Sequence, residues 1–281
     1  MPSFQIGEVN MCEKKKLLAV GGDLRQLYCA DRLSQYFDVY ITSFNSDVTS
    51  FPNLRAVCGS EKSFFDYAVL PINFFRKNTL SASDLQKMIK PNGLIMGGKL
   101  PKNSDISIPY ADYSEREEFK IANAVPSAEG AVRIALNELK TTINSQKVLI
   151  VGYGRIGKSL VNILRGFGAD ISVLVHSFES ECLAKADGLK ICREVSSGFN
   201  LIFNTAPHLI FDRCNLEKLN AETLIIDLAS DLGGVDFESA EKLGIKAIHA
   251  LGLPAFTPVT SGEIAAESVL RIISERSGQN V

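Results

Sequence analysis

The chain has 281 residues, 46% of them hydrophobic and 22% charged, and a formal net charge of −2. This length favours two domains over one compact core. The near-neutral charge gives no reason to expect nucleic acid or an anionic membrane surface as partner. No apolar run approaches the length of a membrane span and no signal peptide is apparent, so we expect a cytoplasmic protein without a membrane segment.

The cysteines and histidines do not suggest a disulfide framework or a metal site. The six cysteines are scattered, and no two of them form a Cys-x-x-Cys pair. Reduced thiols in a cytoplasmic protein explain this distribution best. Because no Cys or His cluster has metal-ligand spacing, no metal is expected.

In the first half of the chain, apolar strands alternate with helical segments. The predicted strands cover residues 16–20, 38–41, 67–71 and 94–98, and the predicted helices cover 24–36 and 81–89. This alternation predicts a doubly wound parallel sheet. The turn after the first strand, Gly21-Gly22-Asp23, is not a dinucleotide fingerprint, because Asp23 would repel a phosphate. The first domain therefore has a different ligand, or none.

Two helical segments precede the second half. Ser114-Glu115-Arg116-Glu117 has the pattern of a capping box, and Val125-Pro126-Ser127 is expected to end the helix that it opens. A second helix from Ser127 to about Asn144 is expected to connect the domains. The predicted boundaries are 1–125 for an N-terminal Rossmann-like substrate or partner domain, 126–146 for the connecting helix, 147–258 for an NAD(P)-binding Rossmann domain and 259–281 for a C-terminal helix that packs back on the N-terminal domain.

The strongest motif is the apolar run 147–151 that enters the turn Gly152-Tyr153-Gly154-Arg155-Ile156-Gly157 and is followed by a helical pattern. Such a turn cradles a pyrophosphate on free backbone N–H groups at the start of a helix. Gly152 permits the turn, Gly154 lets the backbone approach the phosphates, and Gly157 allows close packing of helix and strand. A strand before the glycines and a helix after them are the context that this motif requires.

The second half repeats the alternation, with predicted strands at 171–175, 201–204, 224–228 and 246–251. Three helices are predicted in this half. One ends at about residue 188, one covers 237–243, and one runs from the capping box Thr260-Ser261-Gly262-Glu263 to about residue 275. Ligands of such sheets lie beyond the carboxyl ends of the strands. The residues expected around the nicotinamide are Thr205, Ala206, Pro207, Asp227, Leu228, Ala229 and Gly252.

The predicted cofactor is NADP(H), with NAD(H) as the alternative. A carboxylate at the end of the second strand would bind the ribose hydroxyls of NAD, but this strand ends in His176 and Ser177, both of which can donate to a 2′-phosphate. Arg155 would add a charge-assisted contact. Glu179 lies further on and, if it reaches back, favours NAD(H). The alternative for His176 and Ser177 is an ordinary solvated loop.

Several separated motifs carry a family resemblance. They are Val20-Gly21-Gly22-Asp23-Leu24-Arg25-Gln26, the segment 121–130 with Pro126-Ser127-Ala128-Glu129-Gly130, the glycine fingerprint, Asn204-Thr205-Ala206-Pro207, Ile226-Asp227-Leu228-Ala229-Ser230 with Gly233-Gly234-Val235-Asp236, and Gly252-Leu253-Pro254. Together they resemble the family of the dipicolinate synthase A subunit over about residues 16–275. The resemblance implies oxidation of a dihydrodipicolinate-type dicarboxylate of the lysine branch to pyridine-2,6-dicarboxylate. It also implies the flavoprotein-like second subunit of dipicolinate synthase as partner and a mother-cell cytoplasm in a sporulating bacterium. We expect a homo-oligomer as well.

The implied reaction suggests roles for four side chains. A dicarboxylate needs cationic or N–H donors, so we expect Arg25 to grip one carboxylate and Ser127, at a helix N-terminus, to receive the other. Glu129 is the candidate base, or positions a proton-accepting water, and Asp227 is an alternative base. The plainer readings are an Arg25–Asp23 ion pair, an ordinary helix start at Ser127 and Glu129, and a loop anchor at Asp227.

These observations predict a two-domain α/β oxidoreductase with the cofactor in its C-terminal domain and the substrate in a cleft between the domains. One alternative is a 2-hydroxyacid-type dehydrogenase on another small carboxylic acid, although the late His–acid pair that such chemistry uses is not found. The other is a non-catalytic, cofactor-binding component of a complex whose chemistry lies on its partner.

Overall fold

The computed structural model describes residues 14–44, 46–57, 64–74, 81–100, 107–229 and 233–278. The chain divides into two compact units. Unit 1 comprises Met1–Phe119 with Pro258–Val281, and unit 2 comprises Lys120–Thr257. Ser230, part of one motif that carries the resemblance, lies outside the described residues, as do Cys12 and Cys58. The other four cysteines are free thiols.

The strands of both units are parallel to their neighbours. They are β1 (Lys16–Val20), β2 (Asp38–Thr42), β3 (Arg55–Ala56), β4 (Phe65–Ile72), β5 (Ile89–Gly98), β6 (Tyr110–Asp112), β7 (Lys147–Val151), β8 (Asp170–Leu174), β9 (Lys190–Cys192), β10 (Leu201–Asn204), β11 (Leu224–Asp227) and β12 (Lys246–His249). The helices are α1 (Leu24–Ser34), α2 (Ala82–Met88), α3 (Glu117–Glu138), α4 (Arg155–Gly166), α5 (Phe178–Ala186), α6 (Arg213–Leu216), α7 (Phe237–Lys242) and α8 (Pro258–Arg276).

Both sheets have the strand order of a dinucleotide-binding fold. Unit 1 is ordered β3-β2-β1-β4-β5-β6 and unit 2 β12-β11-β10-β7-β8-β9. In each, the first strand of the unit lies beside the fourth, and the direction of winding reverses between them. This is the switch point at which open α/β sheets bind ligands. The predicted fold class, α/β with two doubly wound Rossmann-like domains, is confirmed for each unit.

The cores follow from the apolar character of the central strands. In unit 2, Val148, Leu149, Ile150 and Val151 of β7 are each 0% exposed, because helices cover both faces of the sheet. In unit 1, α8 packs along α1, and the two helices share one apolar cluster with β1 and β2. This packing is close at Gly262, where a Cβ would lie 2.6 Å from the Arg25 carbonyl oxygen.

The largest departure from the predicted elements concerns the connecting helix. Residues Glu117–Glu138 form one continuous helix with Pro126 inside it, so the predicted break at Val125-Pro126-Ser127 is wrong. An internal proline costs about 3 kcal/mol. Packing offsets this cost, because Ala128 and Ala131 are fully buried and Ala124 is 2% exposed.

Two predicted capping boxes are displaced from the true helix starts. Ser114 lies in a short 3-10 turn that Asp112 caps, and α3 begins after it. The last helix begins at Pro258, two residues before Thr260, because proline is well suited to a first helical turn. The strands β3, β6 and β9 were not predicted, since each has only two or three residues.

Candidate cofactor site

The glycine turn of unit 2 joins β7 to α4 as predicted. Gly152 has a φ of +92°, and a Cβ there would collide with Thr205 Oγ1, so only glycine suits the position. A Cβ on Gly157 would collide with the Gly152 carbonyl oxygen, which explains the close approach of helix and strand. A Cβ on Gly154 would meet no protein atom within 4 Å. Protein atoms therefore crowd the turn at Gly152 and Gly157, whereas the space beside Gly154 is open.

This open side fits an anionic pyrophosphate. Gly154 is the N-cap of α4 and has no side chain that could satisfy the first helical N–H groups, and the first turn contains no acidic residue. Those N–H groups and the positive end of the helix dipole favour an anion. Arg155 and Ile156 lie in this first turn, and Ile156 packs against the core of the unit. The residues present thus fit the phosphates of a dinucleotide.

Tyr153 has a role that the sequence did not reveal. Its ring is 5% exposed, its hydroxyl donates to Asp187 Oδ2 over 2.6 Å, and Lys158 Nζ lies 5.7 Å from the ring centroid. Burial, together with the bond to Asp187, raises the pKa of Tyr153 to about 12. The turn is therefore tied to the C-terminal end of α5, where Asp187 is the C-cap residue.

The end of β8 bears on the choice of cofactor. His176 and Ser177 are exposed, as a role in binding a 2′-phosphate requires. Ser177 is the N-cap of α5, however, and its Oγ accepts a bond of 3.1 Å from Ser180 N. Glu179 lies in the first turn of that helix. The preference between NADP and NAD therefore stays a prediction.

The loops after β10 and β11 are held by a buried amide–carboxylate pair. Asn204 and Asp227 face each other in register at the ends of their strands, and both are 0% exposed. Asn204 Nδ2 donates to Asp227 Oδ1 over 2.8 Å. Asn204 Oδ1 accepts from Ala206 N over 3.2 Å, and Asp227 accepts from the backbone N–H groups of Ala229 and Gly234.

This burial contradicts Asp227 as a general base. Its oxygens are occupied by three neutral donors and have no exposed surface from which to take a proton. The geometry is that of the loop anchor, the plainer reading. Thr205 likewise turns inward, because its hydroxyl donates to the Val151 carbonyl oxygen over 2.8 Å.

The remaining predicted nicotinamide-side residues lie along the same edge of the sheet. Pro207 is exposed, Leu228 is half-buried and Ala229 is buried. His249 Nε2 lies 3.0 Å from the Ala229 carbonyl oxygen, which extends the anchoring to the end of β12. Gly252 has a φ of +69° and precedes a 3-10 turn. Both loops are thus positioned by strand-end side chains that point inward.

The residues predicted to bind substrate carboxylates are placed differently from expectation. Arg25, in unit 1, pairs with Asp23 at 2.7 Å, with 32% of its side chain exposed, so the plainer reading describes its main contact. Asp23 also caps α1 by accepting from Arg25 N.

Ser127 and Glu129, in unit 2, do not lie at a helix N-terminus, because α3 begins at Glu117. The prediction that Ser127 lies at a helix N-terminus was therefore wrong. The Ser127 hydroxyl donates to the Asn123 carbonyl oxygen over 2.8 Å. Glu129 is exposed and borders a shallow groove of about 290 Å³ with Arg133 and Leu136.

Within the described residues, no group of three or more His, Cys, Asp or Glu side chains is arranged to hold a metal ion. Across the same part of the chain, none of the helices has the length and apolar character needed to cross a membrane.

The sheet order of each unit and the glycine turn of unit 2 define a Rossmann-type fold. The solved transhydrogenase from Sinorhizobium meliloti has a TM-score of 0.69 at 12% identity, covering 92% of this chain and 94% of that one. D-lactate, phosphoglycerate and formate dehydrogenases have similar structures. These likenesses show the fold of the chain, and they agree with the fold that the sequence predicts.

Proteins with a higher sequence identity to this chain share one name. The chain is 28% identical to the A subunit of Bacillus subtilis dipicolinate synthase, over 92% of this chain and 96% of that protein. The crystal structure of that relative has a TM-score of 0.82 at 26% identity, covering 95% of this chain and 98% of that one. The corresponding Bacillus halodurans protein has a TM-score of 0.82 at 24% identity, covering 94% and 99%. These comparisons confirm the resemblance to the A subunit of dipicolinate synthase. No family model matches the chain.

Proposed function

We propose that the chain is an NAD(P)-dependent dehydrogenase that oxidises a dihydrodipicolinate-type dicarboxylate of the lysine branch to pyridine-2,6-dicarboxylate during sporulation. The observation that carries the proposal is an acid-free, open glycine turn at the switch point of unit 2. Similarity to the A subunit of dipicolinate synthase over nearly the whole chain supports the choice of substrate.

The proposed reaction balances without a further redox partner. The dihydropyridine ring loses a hydride from one ring atom and a proton from another, and the electron pair left behind completes the aromatic ring. A bound oxidised nicotinamide supplies the hydride acceptor. Aromatisation provides driving force, so the protein mainly has to orient two rings and receive one proton. Exposed Glu129 remains the proposed group for positioning the water that takes this proton.

Arg25 remains the proposed carboxylate ligand. Asp23 engages its Nε and Nη2, which fixes the plane of the guanidinium. Among the described residues, Nη1 has no hydrogen-bond partner. Its two N–H donors are thus available to a substrate carboxylate while Asp23 orients the group. The ion pair and the proposed role are therefore compatible.

Arg25→Ala tests this role. It should raise the KM for the dicarboxylate at least tenfold, as expected for the loss of a charge-assisted contact, and leave the Kd of the nucleotide unchanged. Arg32→Ala is the matched control, since Arg32 lies on the same helix and contacts Gln35. An unchanged KM in Arg25→Ala ends the assignment.

For the cofactor we propose NADP(H), with NAD(H) as the alternative. Exposed His176 and Ser177 at the end of β8 support the former. Glu179 in the first turn of α5 favours the latter. Separate calorimetric titrations with the two nucleotides decide between them: a Kd at least tenfold lower for NADP⁺ supports the proposal, and the reverse order contradicts it.

The relatives carry the name of one component of a multi-subunit synthase. We therefore propose the flavoprotein-like second subunit of dipicolinate synthase as partner, together with a homo-oligomer of this chain and the mother-cell cytoplasm as its location. In this proposal the chain is active without that partner.

Purified chain with NADP⁺ and freshly prepared dihydrodipicolinate should form pyridine-2,6-dicarboxylate and reduced nicotinamide in equal amounts. Turnover that appears only after a partner protein is added contradicts the proposal and favours a non-catalytic, cofactor-binding role. Oxidation of 2-hydroxyacids instead favours the other alternative.

A further inference from the structure

Among the described residues, the buried carboxylate of Asp227 forms no ion pair. The residue is 0% exposed. Its Oδ1 accepts from Asn204 Nδ2 at 2.8 Å and from Ala229 N at 3.1 Å, and its Oδ2 accepts from Gly234 N at 2.7 Å. Within the described part of the chain, all of these partners are neutral. A buried charge is normally paired with an opposite charge.

The surroundings hold this charge in a fixed place. A Cβ on Gly233 would lie 2.5 Å from Asp227 Oδ2, and one on Gly234 would collide with Asn204 Nδ2. Gly233 and Gly234 therefore let their own backbone pass close to the carboxylate. The nearest titratable ring, His249, places its Nε2 3.0 Å from the Ala229 carbonyl oxygen.

The position of the charge is what suggests a function. Asp227 ends β11, the middle strand of the half-sheet β12-β11-β10. In a fold of this strand order, one mononucleotide half of the cofactor lies over each half-sheet. The glycine turn follows β7 and the predicted adenosine side is β8, so the nicotinamide half falls to β10–β12. The cofactor changes charge at this end, because the oxidised nicotinamide ring is positive and the reduced ring is neutral.

We propose that the Asp227 carboxylate makes the site discriminate between the two redox forms of the cofactor, favouring the oxidised, positively charged nicotinamide. This inference rests on the proposed function. In a partly desolvated site, a fixed unit charge changes the Kd of a ligand with the opposite unit charge by about tenfold or more, even when the two charges are not in direct contact. The favoured form is the one that a substrate-oxidising enzyme must hold at the start of each turnover.

The test compares the dissociation constants of NADP⁺ and NADPH, both measured by calorimetry. Asp227→Asn should weaken binding of NADP⁺ about tenfold more than binding of NADPH. Asn204→Ala is the matched control: it removes a hydrogen bond from the same network but keeps the charge. It should therefore weaken both forms by the same factor. Equal weakening in Asp227→Asn would mean that Asp227 only anchors the loop, and overturns the proposal.

The wild-type protein supplies a second measurement if Asp227→Asn does not fold. It should bind NADP⁺ more tightly than NADPH, and equal or tighter binding of NADPH overturns the proposal. If NAD is the cofactor, the same comparisons apply to NAD⁺ and NADH. A wild-type protein that binds no nucleotide overturns the proposed function itself, and this inference with it, which distinguishes the two failures.

Discussion

Replacing Gly154 with alanine should separate cofactor binding from folding. Gly154 has a negative φ of −86°, so its backbone does not need the left-handed conformation that favours glycine. A Cβ at this position meets no protein atom within 4 Å, so the folded chain has room for the methyl group. That room is the space in which backbone N–H groups would meet the pyrophosphate. The methyl group is therefore expected to obstruct the phosphates and little else.

The expected magnitudes differ strongly between the two properties. Loss of one charge-assisted hydrogen bond to a phosphate costs about 1.5–3 kcal/mol, which raises the Kd of the nucleotide by about 10- to 150-fold. Alanine is a poorer N-cap than glycine, and this costs about 1 kcal/mol of stability or less. Binding should fall by at least tenfold while the folded state persists.

Calorimetric titration measures the first effect and thermal unfolding without nucleotide measures the second. Gly166→Ala is the matched control, because Gly166 ends the same helix and a Cβ there also meets no atom within 4 Å. It should leave nucleotide binding unchanged and stabilise the helix by up to about 1 kcal/mol. Wild-type affinity in Gly154→Ala would refute the view that this side of the turn receives the phosphates.

Three further predictions concern stability. Tyr153→Phe removes the hydroxyl bond to Asp187 and should lower the free energy of unfolding by about 1–2 kcal/mol, measured with urea; no change would show that this bond is dispensable. Gly262→Ala places a methyl group 2.6 Å from a carbonyl oxygen of α1 and should cost about 1–3 kcal/mol; unchanged thermal stability would contradict close packing of the two helices. Hydrogen bonding to Arg116 lowers the pKa of Glu275 below its ordinary value of 4.5. This pair therefore stabilises the fold above about pH 4.5 and loses that effect as the pH falls through the lowered pKa. Glu275→Gln should flatten the decline in urea midpoint over that acidic range, and an unaltered pH profile would count against the pair.

The two units share a strand order but differ at the turn that follows their first strand. Both have the same strand order, yet only the turn of unit 2 is free of acids. In unit 1 the corresponding helix is capped by Asp23, whose carboxylate accepts from Arg25 N. This carboxylate occupies the place of an anion at the helix N-terminus. A second dinucleotide is therefore not expected at the turn after β1.

Much of the fold follows from local patterns. The strand β7 and the helix after it begin and end within a few residues of their predicted limits, because a run of four apolar residues and three spaced glycines depend little on distant parts of the chain. Local rules failed where tertiary packing overrode them. Pro126 predicts a helix break, but buried alanines on the same helix keep it continuous.

The candidate site could be predicted only in part, for a similar reason. The glycine turn is a local motif, whereas the Asn204–Asp227 contact depends on the register between two strands that are distant in sequence. A polar residue at the end of each of two apolar strands was the available signal. The burial of Asp227 is what distinguishes a loop anchor from a general base, and burial cannot be read from the sequence alone. No pattern in the sequence indicates the hydrogen bond between Tyr153 and Asp187.

Amide hydrogen exchange with and without saturating NADP⁺ tests the central claim most directly. The peptide that spans the turn from β7 into α4 should exchange more slowly when the nucleotide is bound, because its N–H groups then donate to phosphate oxygens. The peptide that covers the turn from β1 into α1 should be unaffected. Protection at the unit 1 turn instead, or at neither turn in a protein saturated with nucleotide, would contradict the account.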